Sequence, residues 1–295
     1  MCATDSTKDL NFKIPMNAID VDAEKVSEYN MALEISHLVT IGCSYTYCQG
    51  LEDPTTQGWP ALLAQKLNVP VVNLGIMGSG NDSIYRRATE YYYLNKTTNS
   101  KPFFIVAFSQ ALRREEYLAE YKGTTVGDFR TLACYGDEPI ERAIYEHIDT
   151  NGVYFMERRK LMHWLSIINM FKANNVSYFT TSYMADHQQS LTMIKNNYPT
   201  LFSAVHDDEN RIEDFYHLTK GFPLTECNHD GLEAQQVVAN YCYDTMLKKF
   251  EKIIPVTCDY VDLKTYVKNI DSSPTHDVWS YNLWYQKEIN NVQPQ

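Results

Sequence analysis

Short apolar runs alternate with helix-like segments along most of this chain. The runs are HLVTIG, VPVVNLG, PFFIVAF and VSYFTTSY, and each is rich in apolar or β-branched residues. Strands of this kind are buried on both faces, as in parallel sheets that are covered by helices on each side. The alternation therefore predicts an α/β fold with a doubly wound parallel sheet of about five strands.

The segments between these runs have the periodicity of amphipathic helices. In GWPALLAQKLN the apolar residues fall on one helix face, namely Trp59, Leu62, Leu63 and Leu67. In NDSIYRRATEYYYLN, Asn81 or Asp82 is the predicted N-cap of a second helix. Two later helices are predicted, one with apolar residues on its inner face between positions 161 and 171 and one in GLEAQQVVANYCYDTMLKKF.

Polar and glycine-rich residues follow the ends of the predicted strands. Ser44 comes just after the first strand, residues 75–81 follow the second, and Ser109 and Gln110 follow the third. The carboxyl ends of parallel strands meet at one edge of the sheet, where folds of this kind bind their ligands. The pattern predicts a functional site at that edge. Taken alone, Ser44 keeps two interpretations, because Gly and Ser after a strand also mark ordinary turns.

The segments outside the alternation suggest how the chain is organised. We expect an N-terminal arm at residues 1–35, one α/β domain at residues 36–252 and an aromatic C-terminal appendage at residues 253–295. Residues 110–152 are polar and have no regular pattern, which predicts an insertion or lid over the functional edge.

Composition argues against several classes of partner. The net charge is −11 at pH 7, which gives a phosphate backbone no electrostatic attraction. No window reaches the ~18 apolar residues of a membrane span. The opening stretch MCATDSTKDLNFKIPMN has no apolar core of a signal peptide, and the seven cysteines form no C-x-x-C pair. We therefore expect a protein of the reducing cytoplasm, without a nucleic-acid partner, a disulfide framework or a structural zinc site.

One acidic cluster raises the question of a metal. His206 is followed by DDE, and His217 lies further along the chain. This spacing matches neither the zinc nor the calcium motifs. The sequence predicts a solvated acidic loop here, with no metal and no cofactor.

Two short motifs at strand ends, and a third just before the final predicted helix, resemble those of the SGNH (GDSL-type) hydrolase family. GCSYT is similar to the family's Gly-Asp-Ser-x-Thr block, with Cys43 in place of Asp; NLGIMGSG is similar to the second block, and ECNH to the final Asp-x-x-His. The resemblance covers about residues 36–250 and implies a flavodoxin-like, three-layer α/β/α SGNH-hydrolase fold. The cysteine at position 43 and the Ser-x-x-x-Arg segment from Ser109 to Arg113 resemble features of divergent family members encoded by phages and bacteria.

The resemblance implies a role for each matching residue. Ser44 would be the nucleophile, His229 the base that takes its proton, and Glu226 the acid that orients the imidazole. The backbone N–H groups of Ser44 and Gly78 would stabilise the oxyanion.

The family's third oxyanion donor has no direct counterpart. Its Gly-x-Asn-Asp block should follow the third strand, but this chain has FSQALRRE there. Gln110 carries the same amide at the same strand end and is the predicted third donor. Asn81, at the start of the second helix, is its rival.

Two classes of function fit these observations. The first is a serine esterase that hydrolyses a small acyl ester, such as an O-acetyl group on a carbohydrate, through an acyl-enzyme. The alternative is a catalytically weak or inactive scaffold with a binding or structural role, including one carried by a phage. A cysteine nucleophile at Cys43 or Cys48 is a lesser alternative, because nothing marks either thiol as activated. The expected partner is a small-molecule or glycan ester, and the sequence leaves the acyl chain and the oligomeric state open.

Overall fold

The computed structural model describes residues 32–96, 98–121, 124–132, 150–184 and 188–266. The strands are β1 (Ala32–Ile35), β2 (His37–Ile41), β3 (Val71–Asn73), β4 (Pro102–Phe108), β5 (Arg114–Tyr121), β6 (Thr124–Leu132), β7 (Ser177–Ser182) and β8 (Lys252–Pro255). The helices are α1 (Ser44–Tyr47), α2 (Pro54–Gln57), α3 (Trp59–Leu67), α4 (Asn81–Asn95), α5 (Thr150–Ala173), α6 (Gln188–Asn197), α7 (Pro199–His206), α8 (Phe215–Thr219) and α9 (Leu232–Lys249).

The central sheet is parallel and has the strand order β3-β2-β4-β7. Val39 pairs with Val72 on one side and Phe104 on the other. A single parallel bridge from Thr180 to Arg211 occupies the fifth position, beyond β7. The predicted doubly wound α/β fold is confirmed. Where about five strands were expected, the described sheet has four, because the segment around Arg211 contributes only this bridge.

Helices cover both faces of the sheet and make three layers. Phe103 and Phe104 are neighbours in β4, so their side chains point to opposite faces, and both are fully buried. Phe104 belongs to the core under α4 and α5, and Phe103 belongs to the core under α3 and α9. Full burial of a side chain of this size contributes about 1.5–3 kcal/mol. The two cores hold the carboxyl edge of the sheet in place.

Two further pairs of strands lie outside this sheet. β1 pairs with β8 in parallel. β1 belongs to the predicted N-terminal arm, and β8 begins at the last residue of the predicted domain and continues into the predicted appendage. Within the predicted insertion at residues 110–152, β5 and β6 form an antiparallel hairpin. The charged residues of REEYLAEY mask the strand pattern in the sequence. Residues 133–149 of that insertion, residues 1–31 of the arm and residues 267–295 of the appendage lie outside the described residues.

One local prediction is wrong, and another holds only in part. The N-cap of α4 is Gly80, and Asn81 is the first helical residue, because its side chain binds the end of β4 and not its own helix. In the acidic cluster, Asp207 and Glu209 are exposed as predicted, but Asp208 is buried, accepts a hydrogen bond from Tyr178 and pairs with Lys172.

In the described part of the chain, no group of three or more His, Cys, Asp or Glu residues is placed to hold a metal ion. None of the described helices combines the length and the apolar character that a membrane crossing needs.

Candidate active site

Ser44 is the first residue of α1, which starts directly beyond the end of β2. The carbonyl of Cys43 accepts hydrogen bonds from the N–H groups of Thr46 and Tyr47, at 3.0 and 2.9 Å, and so closes this short helix. Gly42 has no room for a side chain, because a Cβ there would collide with the Thr46 hydroxyl. These contacts fix the Ser44 hydroxyl at the carboxyl edge of the sheet, where the residue is 3% exposed.

His229 reaches this hydroxyl from a tight loop before α9. The N–H of Thr225 donates to the carbonyl of His229 at 2.7 Å, and the N–H of Asn228 donates back to Thr225 at 2.9 Å. Asn228 takes the left-handed conformation that the loop requires, with φ of +60°. The result is a distance of 2.8 Å between His229 Nε2 and Ser44 Oγ, across 185 positions of sequence.

The other nitrogen of His229 determines which form of the imidazole is present. Nδ1 lies 3.0 Å from the backbone carbonyl oxygen of Cys227. A carbonyl oxygen can only accept, so Nδ1 carries the hydrogen and the lone pair of Nε2 faces Ser44. This tautomer is the one that can take a proton from the serine hydroxyl.

Glu226 is not part of this arrangement. Both contacts of His229 Nδ1 are with Cys227, to the carbonyl at 3.0 Å and to Sγ at 3.2 Å. Glu226 occupies a corner of the turn from Thr225 to Asn228, where its side chain is exposed. The position of the predicted acid is therefore taken by a backbone carbonyl, because the turn directs the carboxylate outward. Asp230, the residue directly after His229, is buried, and neither contact of His229 Nδ1 is with its carboxylate.

This arrangement predicts that Glu226→Gln leaves ester turnover within about threefold of wild type, because an exposed side chain away from the imidazole contributes little. In a triad that depends on its carboxylate, the same change lowers kcat by roughly 10⁴-fold. Steady-state kinetics of the two proteins measure the difference. Glu233→Gln, an exposed position in α9, is the matched control. A 100-fold loss specific to Glu226→Gln would show that the carboxylate reaches His229 during catalysis.

The surroundings of His229 favour its neutral form. Burial lowers the pKa of His229 below its ordinary value of 6.5, the Cys227 carbonyl raises it in part, and the positive charge of Arg113 lowers it again. Arg113 is nearly buried just after β4 and donates to the Ser109 hydroxyl at 3.3 Å. A neutral imidazole at neutral pH is what a general base requires.

Tyr45 supports the imidazole from its face. The Tyr45 ring lies 4.8 Å from the ring of His229 and 5.0 Å from that of Tyr183, and its hydroxyl donates to the carbonyl of Asn228. Sequence reasoning did not identify this residue, although a tyrosine directly after a candidate nucleophile was a usable signal.

The loop of residues 75–80, which we call the oxyanion loop, packs tightly against α1. The Asn73 side chain accepts hydrogen bonds from the N–H of Gly75 at 2.9 Å and from the Thr40 hydroxyl at 3.0 Å, and donates to the carbonyl of Thr46 at 2.9 Å. A Cβ at Gly75 would lie 2.7 Å from the carbonyl carbon of Thr46 and closer still to Tyr47 N. Only glycine lets the loop approach the helix that carries Ser44.

Gly75→Ala is therefore expected to lower kcat by roughly 100-fold, because displacement of a site by ~1 Å costs about that much. It should also lower the free energy of unfolding by about 1–3 kcal/mol, as overpacking does. Gly221→Ala is the control for stability, because Gly221 has a left-handed φ of +98° but open space around its Cβ position. That variant should lose stability and keep its kcat. Equal kcat values in the two variants would contradict the packing argument.

Two backbone donors remain for an oxyanion. Gly78 is exposed at the tip of the oxyanion loop, with φ of +77° and nothing within 4 Å of a Cβ position. Within the described residues, neither its N–H nor that of Ser44 donates to a protein acceptor. Both predicted donors are free to bind a negatively charged oxygen.

The two candidates for a third donor differ in their contacts. The amide of Asn81 donates to the carbonyls of Ser109 and Gln110, both at 3.2 Å, and accepts from the N–H of Ser109 at 2.8 Å. It is fully used in holding the end of β4 beside α4, so the role of oxyanion donor does not fit Asn81. Gln110 is half-buried at the same edge, and its role as third donor stays a prediction.

Comparison with known proteins gives matches of structure. No protein-family model matches the chain, and no curated protein matches its sequence. The chain is similar to a protein described as lipolytic and of the G-D-S-L family from Desulfitobacterium hafniense DCB-2, with 15% identity over 71% of this chain and 98% of that one, at a TM-score of 0.41. It is also similar to the psychrotrophic esterase EstA from Pseudoalteromonas sp., with 11% identity over 72% and 98% of the two chains and a TM-score of 0.44. A third is the acetyl xylan esterase Est2A from the rumen bacterium Butyrivibrio proteoclasticus, with 12% identity over 74% and 65% and a TM-score of 0.42.

The similar structures include proteins described as lipolytic and of the G-D-S-L family, and an SGNH-hydrolase family esterase. Identities of 11–15% transfer neither the role of a residue nor a substrate, so roles in this chain follow from its own contacts.

The contacts and burial of Cys43 and Cys48 argue against either thiol as the nucleophile. Cys43 and Cys48 are both buried. The Cys48 thiol lies 3.3 Å from Gln235 Oε1, and burial raises the pKa of this thiol well above its ordinary range. A buried thiol that keeps its proton does not attack esters at neutral pH.

Proposed function

We propose that this protein is a serine esterase of SGNH type, which hydrolyses a small acyl ester such as an O-acetyl group on a carbohydrate through an acyl-enzyme. The observation that carries the proposal is the 2.8 Å contact between Ser44 Oγ and a His229 Nε2 whose lone pair faces it. The nearly buried position of Ser44 supports a small acyl group. The carbohydrate part of the proposal rests on the motif resemblance.

In the first half of the reaction, Ser44 Oγ attacks the ester carbonyl carbon while its proton moves to His229 Nε2. The imidazolium keeps its Nδ1 hydrogen bond to the Cys227 carbonyl. Negative charge on the former carbonyl oxygen is stabilised by the N–H groups of Ser44 and Gly78. His229 then gives the proton to the departing alkoxide. In the second half, water attacks the acyl carbon by the same route and releases the acid, and Ser44 recovers its proton.

The experiment that tests the proposal combines turnover with location of the nucleophile. Wild-type protein should hydrolyse p-nitrophenyl acetate and react once per chain with a fluorophosphonate probe. Peptide mass spectrometry should place the phosphonyl group on Ser44 and leave the exposed Ser203 of α7 unlabelled. A label on a cysteine, or folded protein that neither labels nor turns over ester, would contradict the proposal.

A second candidate function has its own support in the site. Glu226 lies away from His229 and the amide of Asn81 is committed to the end of β4, so the site has fewer supporting groups than the family motifs imply. A slow enzyme, or a scaffold that binds a glycan ester without turning it over, fits these two features. Binding of a ligand by a protein that does not react with the fluorophosphonate would favour this alternative.

The lowered pKa of His229 predicts the pH dependence of turnover. The base must be neutral, and an imidazole is neutral above its pKa, so kcat/KM should stay constant through neutral pH and fall with an apparent pKa below 6.5. Arg113→Met should move this fall to higher pH, because removal of a positive charge favours the imidazolium.

A second group could titrate in the same range, because burial raises the pKa of Asp230 to about 6. The variant Asp230→Asn identifies the titrating group. If the fall in kcat/KM at low pH (the acid limb) is unchanged in this variant, the limb belongs to His229; if it disappears, the limb belongs to Asp230.

A further inference from the structure

Arg87 is a charged residue in the middle of the core side of α4. It is fully buried, with an exposed fraction of 0%. Its neighbour in the chain, Arg86, is partly exposed and pairs with Glu90 one turn further along the helix. In the ion pairs of the described residues, Arg87 has no carboxylate partner. A buried charge of this kind persists only where other polar groups compensate it.

The compensating groups lie just beyond two strand ends, in the oxyanion loop and in the first turn of α4 itself. The guanidinium donates from Nη1 to the carbonyl of Leu74, from Nη2 to the carbonyl of Gly42 at 3.2 Å and to the Ser79 hydroxyl at 2.7 Å, and from Nε to the carbonyl of Ser83 at 3.1 Å. Gly42 directly follows β2 and lies two residues before Ser44. Leu74 lies immediately before the oxyanion loop, and Ser79 lies near its end. One planar group thus binds the segment of Ser44 and both ends of the loop that carries Gly78.

We propose that Arg87 is a positioning residue, which sets the two backbone donors of Ser44 and Gly78 relative to each other. The inference rests on the proposed esterase function. The planar guanidinium fork of Arg87 binds acceptors just beyond the ends of two strands at once, which the single ammonium of a lysine does not do. Its buried positive charge lies behind the donors, so it also favours negative charge on the oxygen that they bind. Both effects act on the transition state and leave the resting ester bound as before.

The kinetic test uses Arg87→Met, Arg87→Lys and the neighbouring control Arg86→Met. Arg87→Met should lower kcat on p-nitrophenyl acetate by roughly 100-fold with KM within about twofold, which is the pattern of a lost transition-state interaction. Arg87→Lys keeps the charge and loses the fork, so it should fall between this variant and wild type. Arg86→Met should match wild type. Wild-type kcat in a folded Arg87→Met protein, or a change confined to KM, would overturn the inference.

A second measurement separates this inference from the proposed function. Hydrogen exchange of peptides that cover residues 74–80 should be faster in Arg87→Lys than in wild type, and exchange in β4 should be unchanged. Unaltered exchange in the loop overturns the positioning role. If wild type shows no reaction with any ester or fluorophosphonate, the proposed function fails, and the exchange experiment still decides whether Arg87 holds the loop. Arg87→Lys also decides if Arg87→Met does not fold.

Discussion

Ester turnover is expected to fall by ~10⁴-fold or more when Ser44 is replaced by alanine, because removal of a serine nucleophile eliminates the acyl-enzyme route. The alanine keeps the backbone N–H and the start of α1, and it fills a nearly buried position without a clash. Substrate binding should therefore persist while kcat is lost. Fluorophosphonate labelling should disappear as well. Stopped ester assays at high enzyme concentration, with intact-mass measurement of the label, provide both readouts.

The control for this variant is Ser203→Ala in α7, where the serine is exposed. It should retain wild-type turnover and labelling. Persistence of turnover in Ser44→Ala at more than a few per cent would mean that another group attacks the ester. If the Ser44→Ala variant still binds a glycan ester and the wild type does not hydrolyse that ester, the result would instead support a binding scaffold.

Replacement of His229 by glutamine is expected to slow turnover by about 10³- to 10⁴-fold, because glutamine can hydrogen-bond to Ser44 but takes no proton at neutral pH. The acid limb of the pH profile should disappear with it. The N–H donors of Ser44 and Gly78 do not depend on His229, so a small residual rate should remain. Measurement of kcat/KM from pH 5 to 9 tests both statements.

His217→Gln serves as its control, since His217 is an exposed histidine in α8 whose ring packs against Tyr216. An acid limb that persists in His229→Gln would identify a different titrating group. Retained fluorophosphonate reactivity at the wild-type rate would show that His229 does not activate the serine.

The layered fold is predictable from the sequence because burial on both faces leaves a continuous apolar signal. PFFIVAF coincides with β4, and GWPALLAQKLN contains α3. The pair of Ser44 and His229 could be named only with the family motifs, because no local pattern links residues so far apart. The phage-like origin suggested by Cys43 stays a prediction.

The roles of the other site residues could not be predicted from the sequence, and the reasons are physical. Arg87 falls within an amphipathic helix, where a charge indicates the solvent face, and three of its four acceptors are backbone carbonyls, which have no signature in sequence. The Cys227 carbonyl that orients His229 is equally invisible. Glu226 was misplaced because spacing along the chain does not reveal which way a tight turn directs a side chain.

The pairing of β1 with β8 means that β1 cannot fold into its ladder until the ribosome has made the distant β8 segment. Leu33 has its ladder partner, Ile253, at the far end of the α/β domain. Until that partner leaves the ribosome, β1 has an open hydrogen-bonding edge, which is a site for pairing with another chain. A chain that ends before Lys252 keeps that edge open permanently. Premature termination would thus leave a protein with the Ser44–His229 pair present and a tendency to aggregate.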